Sequence, residues 1–375
     1  MRIGIDTRLA QYRRAGGIAQ YTLRLLQALL ALEGGDEFIA LHHYSDRPAN
    51  LLKLDAAKPR KLRGHPLFTP PHHKLEQLTL PAELLAARLD VLHSPDFIPP
   101  FHRRCPAVIT VHDLAFKLYP QLLTPESAAY YGQIERAAAS AEQIIAVSEA
   151  TRRDMLRLLP VDAHKISVIY EAADPLYRPR DDAETVQQVL RAYGLEPPFV
   201  LAVGTIEPRK NLLMLLRAFR GLLNRDPGCA TLVIAGPRGW LADEVAALHA
   251  KLQLGKQTRF LGAVPAPELA ALYGTAELFV MPSLYEGFGL PVVEAMACGA
   301  PVIVSNVSAL PEVAGDAGLC LAPDDVDAWA EAMRRVLGDP TLRSELRQKS
   351  LRQARRFSWD QAARETLAVY QKARA

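Results

Sequence analysis

The sequence predicts an α/β protein of two domains, on three observations. The chain has 375 residues, which suits two domains of ordinary size better than one. Short apolar runs such as Ala107–Val111 (AVITV) and Phe199–Val203 (FVLAV) recur along it and end in polar turns, as buried parallel strands do. In each half a strand also runs into a glycine loop that opens a helix, at Gly16-Gly17 and at Gly287-Phe288-Gly289. Such a junction aims free backbone N–H groups and the positive end of a helix dipole at one point, which suits an anion.

The chain is organised around Met281–Cys298 (MPSLYEGFGLPVVEAMAC). The apolar run Glu277–Met281 reads as a buried strand, and the loop Glu286-Gly287-Phe288-Gly289-Leu290 follows it. Pro291 then stands where the first turn of a helix tolerates a missing N–H, and Gly299 ends that helix. Two carboxylates frame the loop, Glu286 within it and Glu294 about one turn into the helix. One reading makes Glu286 a cap and Glu294 a solvated helix residue. The other gives both to sugar hydroxyls, because a carboxylate accepts two hydrogen bonds from a vicinal diol.

Glu286 and Glu294 have seven residues between them, with Gly-Phe-Gly and Pro291 in the interval. This resembles the E-x7-E signature of retaining nucleotide-sugar glycosyltransferases of family 4, and the resemblance extends over nearly the whole chain. It implies the GT-B fold: two Rossmann-like domains facing across a cleft. Residues 1–180 would form the acceptor-side domain and residues 181–358 the nucleotide-sugar-binding domain. A last helix, 359–375, would cross back to the first domain. The resemblance also implies that Glu286, Gly287, Phe288, Gly289, Leu290 and Glu294 bind the donor.

Composition narrows the class. No apolar stretch approaches the ~20 residues of a membrane span, and Met1–Asp6 reads directly as a strand rather than as a signal peptide. Cys105, Cys229, Cys298 and Cys320 lack metal or disulfide spacing, as in a reduced cytoplasmic protein. A net charge of +3 is too small to argue for nucleic acid.

In the first half, Arg2–Asp6 alternates into a core as a strand. Arg13-Arg14-Ala15-Gly16-Gly17-Ile18 and the helix Ala19–Leu30 follow. The loop is not a G-x-G-x-x-G fingerprint, which counts against a dehydrogenase. It is either a tight turn or, as the resemblance implies, a loop in which Gly16 and Gly17 approach the donor phosphates. Glu37–Tyr44 is the second strand. Residues Lys53–Lys74 read as irregular and basic, with nine Lys, Arg and His side chains against Asp55 alone. They are either solvated surface or a docking patch for an anionic acceptor or membrane surface. Asp90–His93, Ala107–Val111, Gln143–Val147 and Lys165–Tyr170 read as further strands. Ligands sit beyond the carboxyl ends of parallel strands, so His112 and Asp113, directly after AVITV, are site candidates. Val111-His112-Asp113-Leu114 resembles the segment whose His contacts the donor sugar. Asp113 either orients that ring or caps the next turn, and Ser148 is positioned as an N-cap. Glu171–Pro179 resembles the family stretch before the linker, with Glu171-Ala172 in place of Asn-Gly.

Arg178–Glu184 reads as the linker and Gln187–Tyr193 as a helix. Phe199–Val203 leads through Gly204-Thr205-Ile206-Glu207-Pro208-Arg209-Lys210-Asn211 into the helix Leu212–Leu223. Arg209 and Lys210 thus place two cations beside a helix N-terminus, as a diphosphate leaving group requires. The family often has Gly-Arg where this chain has Gly204-Thr205, so Arg209 must supply the guanidinium. Ala230–Gly236, Thr258–Leu261 and Pro301–Ser305 read as strands. Asp324-Asp325-Val326-Asp327 looks superficially like a metal site but precedes the helix Ala328–Leu337, which favours capping. Ser358 should cap the last helix.

Sugar transfer needs a neutralised leaving group and an aligned acceptor hydroxyl. The expected catalytic residues are His112, Glu286, Arg209 and Lys210, without a metal or cofactor. Retention of configuration is implied by the resemblance. The expected donor is a hexose on GDP or UDP, with GDP-mannose first. The expected acceptor is a saccharide or a lipid-linked one, engaged by the first domain, with peripheral membrane contact through Lys53–Lys74. The rivals are a nucleotide-sugar epimerase of the same fold and a non-catalytic sugar-binding protein. The second of these leaves Arg209-Lys210 unexplained.

Overall fold

The computed structural model describes residues 1–11, 16–45, 61–122, 125–180 and 182–375. Lys53, Asp55, Lys58 and Arg60 of the basic segment lie outside the described residues, as do Arg13, Arg14 and Ala15 of the first glycine loop.

By internal contacts the chain divides into two units, Met1–Glu171 with Ser358–Ala375, and Ala172–Phe357. The expected boundary was 180/181, but Ala172–Arg180 belong with the second unit. Tyr177 packs edge-on against Tyr273 with centroids 5.8 Å apart, and Arg180 donates to the Pro267 carbonyl at 2.8 Å. The expected linker also ends early, because Asp182 caps a helix over Ala183–Tyr193 by accepting from Thr185 N.

The first unit holds a parallel sheet built from β1 (Arg2–Asp6), β2 (Glu37–His43), β3 (Leu62–Leu67), β4 (Val91–Ser94), β5 (Ala107–Val111), β6 (Gln143–Ala146) and β7 (Ile166–Val168). Among the described residues its order is β3-β2-β1-β4-β5-β6-β7. β5 and β6 are buried along their whole length, which is why they read as unbroken apolar runs. β3 corrects the expectation of an irregular basic segment. Leu62 and Leu67 are buried at its ends, while Arg63 and Pro66 lie between them. An edge strand tolerates a proline and a charge on its free side, and both disguise the pattern.

The helix Trp359–Arg374 belongs to this unit, with Ser358 accepting from Gln361 N as its cap. It is held by a buried polar relay. The Tyr370 hydroxyl lies 2.7 Å from His93 Nδ1, His93 Nε2 lies 2.8 Å from Thr110 Oγ1, and Thr110 Oγ1 lies 3.0 Å from the Tyr21 hydroxyl. Burial lowers the His93 pKa to about 3, so the ring is neutral and can donate at one nitrogen and accept at the other.

The second unit repeats the plan with β8 (Phe199–Val203), β9 (Thr231–Ala235), β10 (Thr258–Gly262), β11 (Leu278–Met281), β12 (Val302–Ser305) and β13 (Gly318–Leu321). Its parallel order is β10-β9-β8-β11-β12-β13. β13, a short half-exposed edge strand, was not foreseen. Asp325 accepts from Ala328 N and caps the helix Val326–Gly338, as capping requires, and Asp327 pairs with Arg225. Both sheets reverse their order once, between β1 and β4 and between β8 and β11. In open parallel sheets ligands bind outside the carboxyl ends at such a reversal. No helix among the described residues is long and apolar enough to cross a membrane.

Candidate active site

At the β8/β11 reversal two loops are stitched together. Asn211, in the left-handed region at φ 55°, donates from Nδ2 to the carbonyls of Pro282 (3.1 Å) and Pro323 (2.6 Å). Leu284 N donates to the Arg209 carbonyl at 2.8 Å. The loop after β8 is thereby fixed to the loop after β11. Two glycines let the loop after β8 pack against the end of β9 and fold over its own Lys210. A Cβ on Gly236 would meet the Gly204 carbonyl oxygen at 2.0 Å, and a Cβ on Gly204 would meet the Lys210 side chain at 2.9 Å. Only glycine fits at Gly236, since the obstruction is backbone.

The stitched loops deliver an ion triad. Arg209 Nη1 donates to Glu286 Oε2 and Lys210 Nζ to Glu286 Oε1, each at 2.6 Å. Arg209 also donates to the Tyr285 carbonyl at 3.0 Å and to Glu207 Oε1 at 2.8 Å. The Glu286 backbone N–H donates to Ser308 Oγ at 2.9 Å. Burial alone would raise the Glu286 pKa, but the charges of Arg209 and Lys210 outweigh it and hold the carboxyl at about 2. Glu286 is therefore no helix cap. It is an ionised carboxylate that holds two cations in place. The cations stand beside the N-terminus of the helix Leu212–Arg225, so one spot concentrates positive charge suited to a diphosphate.

Glu294 sits on the helix Leu290–Ala297, which carries Pro291 in its first turn and starts from Gly289 at φ 102°. It is not a solvated helix residue. The Tyr273 hydroxyl donates to Glu294 Oε2 at 3.1 Å. Burial raises its pKa to about 7, against the opposing hydrogen bonds of Tyr273 and Tyr177. Its titration is thereby moved from the usual carboxylate range toward neutral pH.

The remaining expected residues belong to the first unit. His112, at the end of β5, places Nε2 3.0 Å from the Pro95 carbonyl and Nδ1 2.9 Å from Glu171 Oε1. Both neighbours are acceptors, so the geometry calls for a doubly protonated ring. Burial lowers the His112 pKa, but the Glu171 carboxylate more than compensates and the net shift is upward. The Glu171 that replaces the family's usual Asn is thus the partner of His112. Asp113 caps, accepting from Ala115 N at 2.9 Å. Gly16 and Gly17 open the helix Gly16–Ala31 and are exposed.

Arg209, Lys210 and Glu286 therefore meet in one cluster, with Glu294 in the same unit, while His112, Gly16 and Gly17 lie in the other. Sequence reasoning missed Ser308 and Tyr273, whose partners lie 22 and 21 positions away, and Glu207, whose partner Arg209 is only two positions on. Glu171 was noticed only as a departure. Its place just after β7 could have marked it by the same strand-end rule that marked His112.

Comparison with known proteins bears on the family and the fold. Residues 188–355 match the model of glycosyl transferases group 1, and residues 15–175 that of Glycosyltransferase Family 4. The chain is 34% identical to O-antigen chain mannosyltransferase B of Escherichia coli, over 94% of this chain and 95% of that one. It is 35% identical to a D-inositol 3-phosphate glycosyltransferase of Actinosynnema mirum over 64% of this chain, spanning 60% of that relative's length. Among solved structures, sucrose-phosphate synthase from Thermosynechococcus elongatus superposes with a TM-score of 0.78 at 21% identity, covering 99% of this chain and 98% of that one. The Anabaena HepE protein in complex with UDP and glucose gives 0.77 at 19% identity, with 98% of each chain covered. Paired parallel sheets of the GT-B fold and a relative matched along nearly its full length place this chain among the group 1 glycosyltransferases.

Proposed function

We propose that the protein is a retaining hexosyltransferase that moves mannose from a nucleoside diphosphate, GDP first and UDP second, to a saccharide or lipid-linked acceptor without a metal. The observation that carries this reading is the Arg209–Lys210–Glu286 triad at the β8/β11 reversal. Its two cations would take the diphosphate as charge develops on it, and a preformed cluster needs no reorganisation at that moment. Glu286 would accept sugar hydroxyls and Glu294 the ribose diol. For His112, Gly16 and Gly17 a role toward the donor rests on the family resemblance.

In the step proposed, the acceptor oxygen attacks the anomeric carbon from the face the diphosphate leaves. The bond from the anomeric carbon to the phosphate oxygen breaks, the acceptor's proton passes to the departing phosphate, and the configuration is retained. The mannose assignment is supported by the Escherichia coli relative's name, and a nucleotide carrier by the UDP in the HepE structure. The acceptor is proposed to engage the first unit. Contact with a membrane surface through Lys53–Lys74 and a cytoplasmic location are part of the same proposal.

The test is incubation with GDP-mannose, UDP-glucose and other nucleotide sugars, with and without EDTA, scoring nucleoside diphosphate release and product anomer. Release from GDP-mannose that survives the chelator, with a retained anomer, is the expected result. Preference for another donor removes the mannose assignment alone. Silencing by EDTA with rescue by magnesium or manganese removes metal independence. Reversible epimer formation, or no turnover with any donor, removes the transferase reading.

A further inference from the structure

His112 is held at both ring nitrogens, by the Pro95 carbonyl and by Glu171. Two hydrogen bonds in the plane of an imidazole still let it tilt about the line that joins them. What closes the ring in is Tyr21, on the helix that opens at Gly16-Gly17. The Tyr21 ring lies 4.8 Å from the His112 ring, at 86° to it. Perpendicular rings at that separation set the edge of one on the face of the other, a contact that contributes beyond the area it buries.

The phenol reaches the same stretch of chain a second time. Its hydroxyl lies 3.0 Å from Oγ1 of Thr110, which stands on β5 two residues before His112. Tyr21 is 2% exposed and Thr110 is fully buried, so neither hydroxyl can turn to water instead. Burial pushes the Tyr21 pKa above the ordinary phenol value, so the group is neutral and keeps its proton at neutral pH. Thr110 is itself fixed by the relay through His93 to Tyr370, and the Trp359 ring packs against Tyr21 with centroids 5.9 Å apart. Tyr21 is thus a strut between the helix Gly16–Ala31, β5 and the helix Trp359–Arg374. A slide of the first helix along β5 would break the hydroxyl bond, and a tilt of the imidazole would run into the phenol ring.

We propose that Tyr21 is a positioning residue, whose ring holds the orientation of His112 and whose hydroxyl anchors that ring to β5. Its bearing on turnover rests on the reading of His112 as a residue that faces the donor sugar, whereas the holding of His112 does not.

The experiment is proton–nitrogen NMR of the histidine rings of the full chain, paired with GDP-mannose kinetics and thermal melts. In the wild type both ring N–H protons of His112 should give slowly exchanging signals, since both are bonded and enclosed. Tyr21→Leu should lose these signals and lower kcat by roughly tenfold or more, because slight misplacement of a reacting group is costly, while KM changes less. Tyr21→Phe keeps the ring and should restore the signals and most of kcat. Tyr370→Phe breaks the relay at its far end. It should lower the melting temperature as Tyr21→Phe does and leave the His112 signals and kcat at wild-type values. If Tyr21→Leu does not melt cooperatively, Tyr21→Met, whose flexible chain fills more of the space, takes its place. Fast exchange of the His112 signals in the wild type, wild-type signals in a folded variant that lacks the ring, or signals and kcat that follow the melting temperature across all variants overturns the proposal. Signals lost in Tyr21→Leu with kcat unchanged would leave the positioning standing and sink the reading of His112 as part of the transfer.

Discussion

At the β8/β11 reversal two cations, Arg209 and Lys210, close on one carboxylate, Glu286. At the β1/β4 reversal one guanidinium, Arg8, closes on two carboxylates, Asp6 and Glu76. The sheets beneath are alike, parallel and reversed once, and in both the segment after an inner strand supplies the cations. The difference is in the side chains those loops carry. The sheet decides where a ligand sits, and the loops decide which ligand it is. A cationic crevice suits a diphosphate.

The largest effect that would break this contrast is at the cations. Arg209→Ala and Lys210→Ala should each lower kcat/KM by roughly 10²-fold or more, since each removes charge from a developing diphosphate. The double variant should fall short of the product of the two, because both side chains hold the same carboxylate. Near-normal kinetics in both single variants would mean that the phosphates bind elsewhere.

The next effect is in pH. With its pKa raised to about 7, Glu294 in the proposed role would accept diol hydroxyls fully only when ionised. Nucleoside diphosphate affinity should therefore fall from pH 8 to pH 6, by roughly tenfold at one unit below the pKa. The stability sign runs the other way. Between about 4.5 and 7 the folded protein holds a proton that the unfolded chain has lost, so stability from this group declines as pH rises across that window. Glu294→Gln should flatten both dependences. Calorimetric titration and urea midpoints at several pH values test this, and an unchanged slope in the variant removes Glu294 from the diol.

A smaller change is expected at His112. Glu171→Gln should lower the His112 ring pKa, read by NMR titration, and move the alkaline limb of the rate profile to lower pH. In the wild type, the stability this pair contributes is fully present below about 6.5 and is lost as pH rises through the raised pKa of His112. Unmoved ring resonances in the variant would show that Glu171 does not hold the proton on His112.

The smallest effect should come from the basic segment. Neutralising Lys58, Arg60, Lys61 and Arg63 together should weaken binding to anionic liposomes and raise the acceptor KM by roughly two- to fivefold, with donor hydrolysis intact. The effect is small because Lys61 already donates to the Leu32 carbonyl and Arg63 already pairs with Glu37 at 2.7 Å. A quadruple variant with wild-type liposome binding and acceptor KM marks the segment as solvated surface.

The sequence was legible wherever a local pattern carried the information. Interior strands such as β5 and β8 declared themselves by apolar runs, and Ser148, Asp325 and Ser358 by their place before helices. The two missed strands, β3 and β13, are both edges, where one side is unpaired and a polar residue costs little. Loop roles were legible only by position, which located Arg209, Lys210 and Glu286 but could not say that they bind one another.

By itself, then, the sequence determined the interior strands, the caps at Ser148, Asp325 and Ser358 and the glycine junctions, because propensity and periodicity act over a few residues. Strand order was decided only in the tertiary structure, through contacts between residues far apart in the chain. Arg209 meets Glu286 across 77 positions, His112 meets Glu171 across 59, and Arg8 meets Glu76 across 68. No local rule specifies such partners. Arg209 and Glu286 meet because parallel crossovers bring the ends of β8 and β11 side by side, and at all three pairs burial makes an unpaired charge too costly to leave alone.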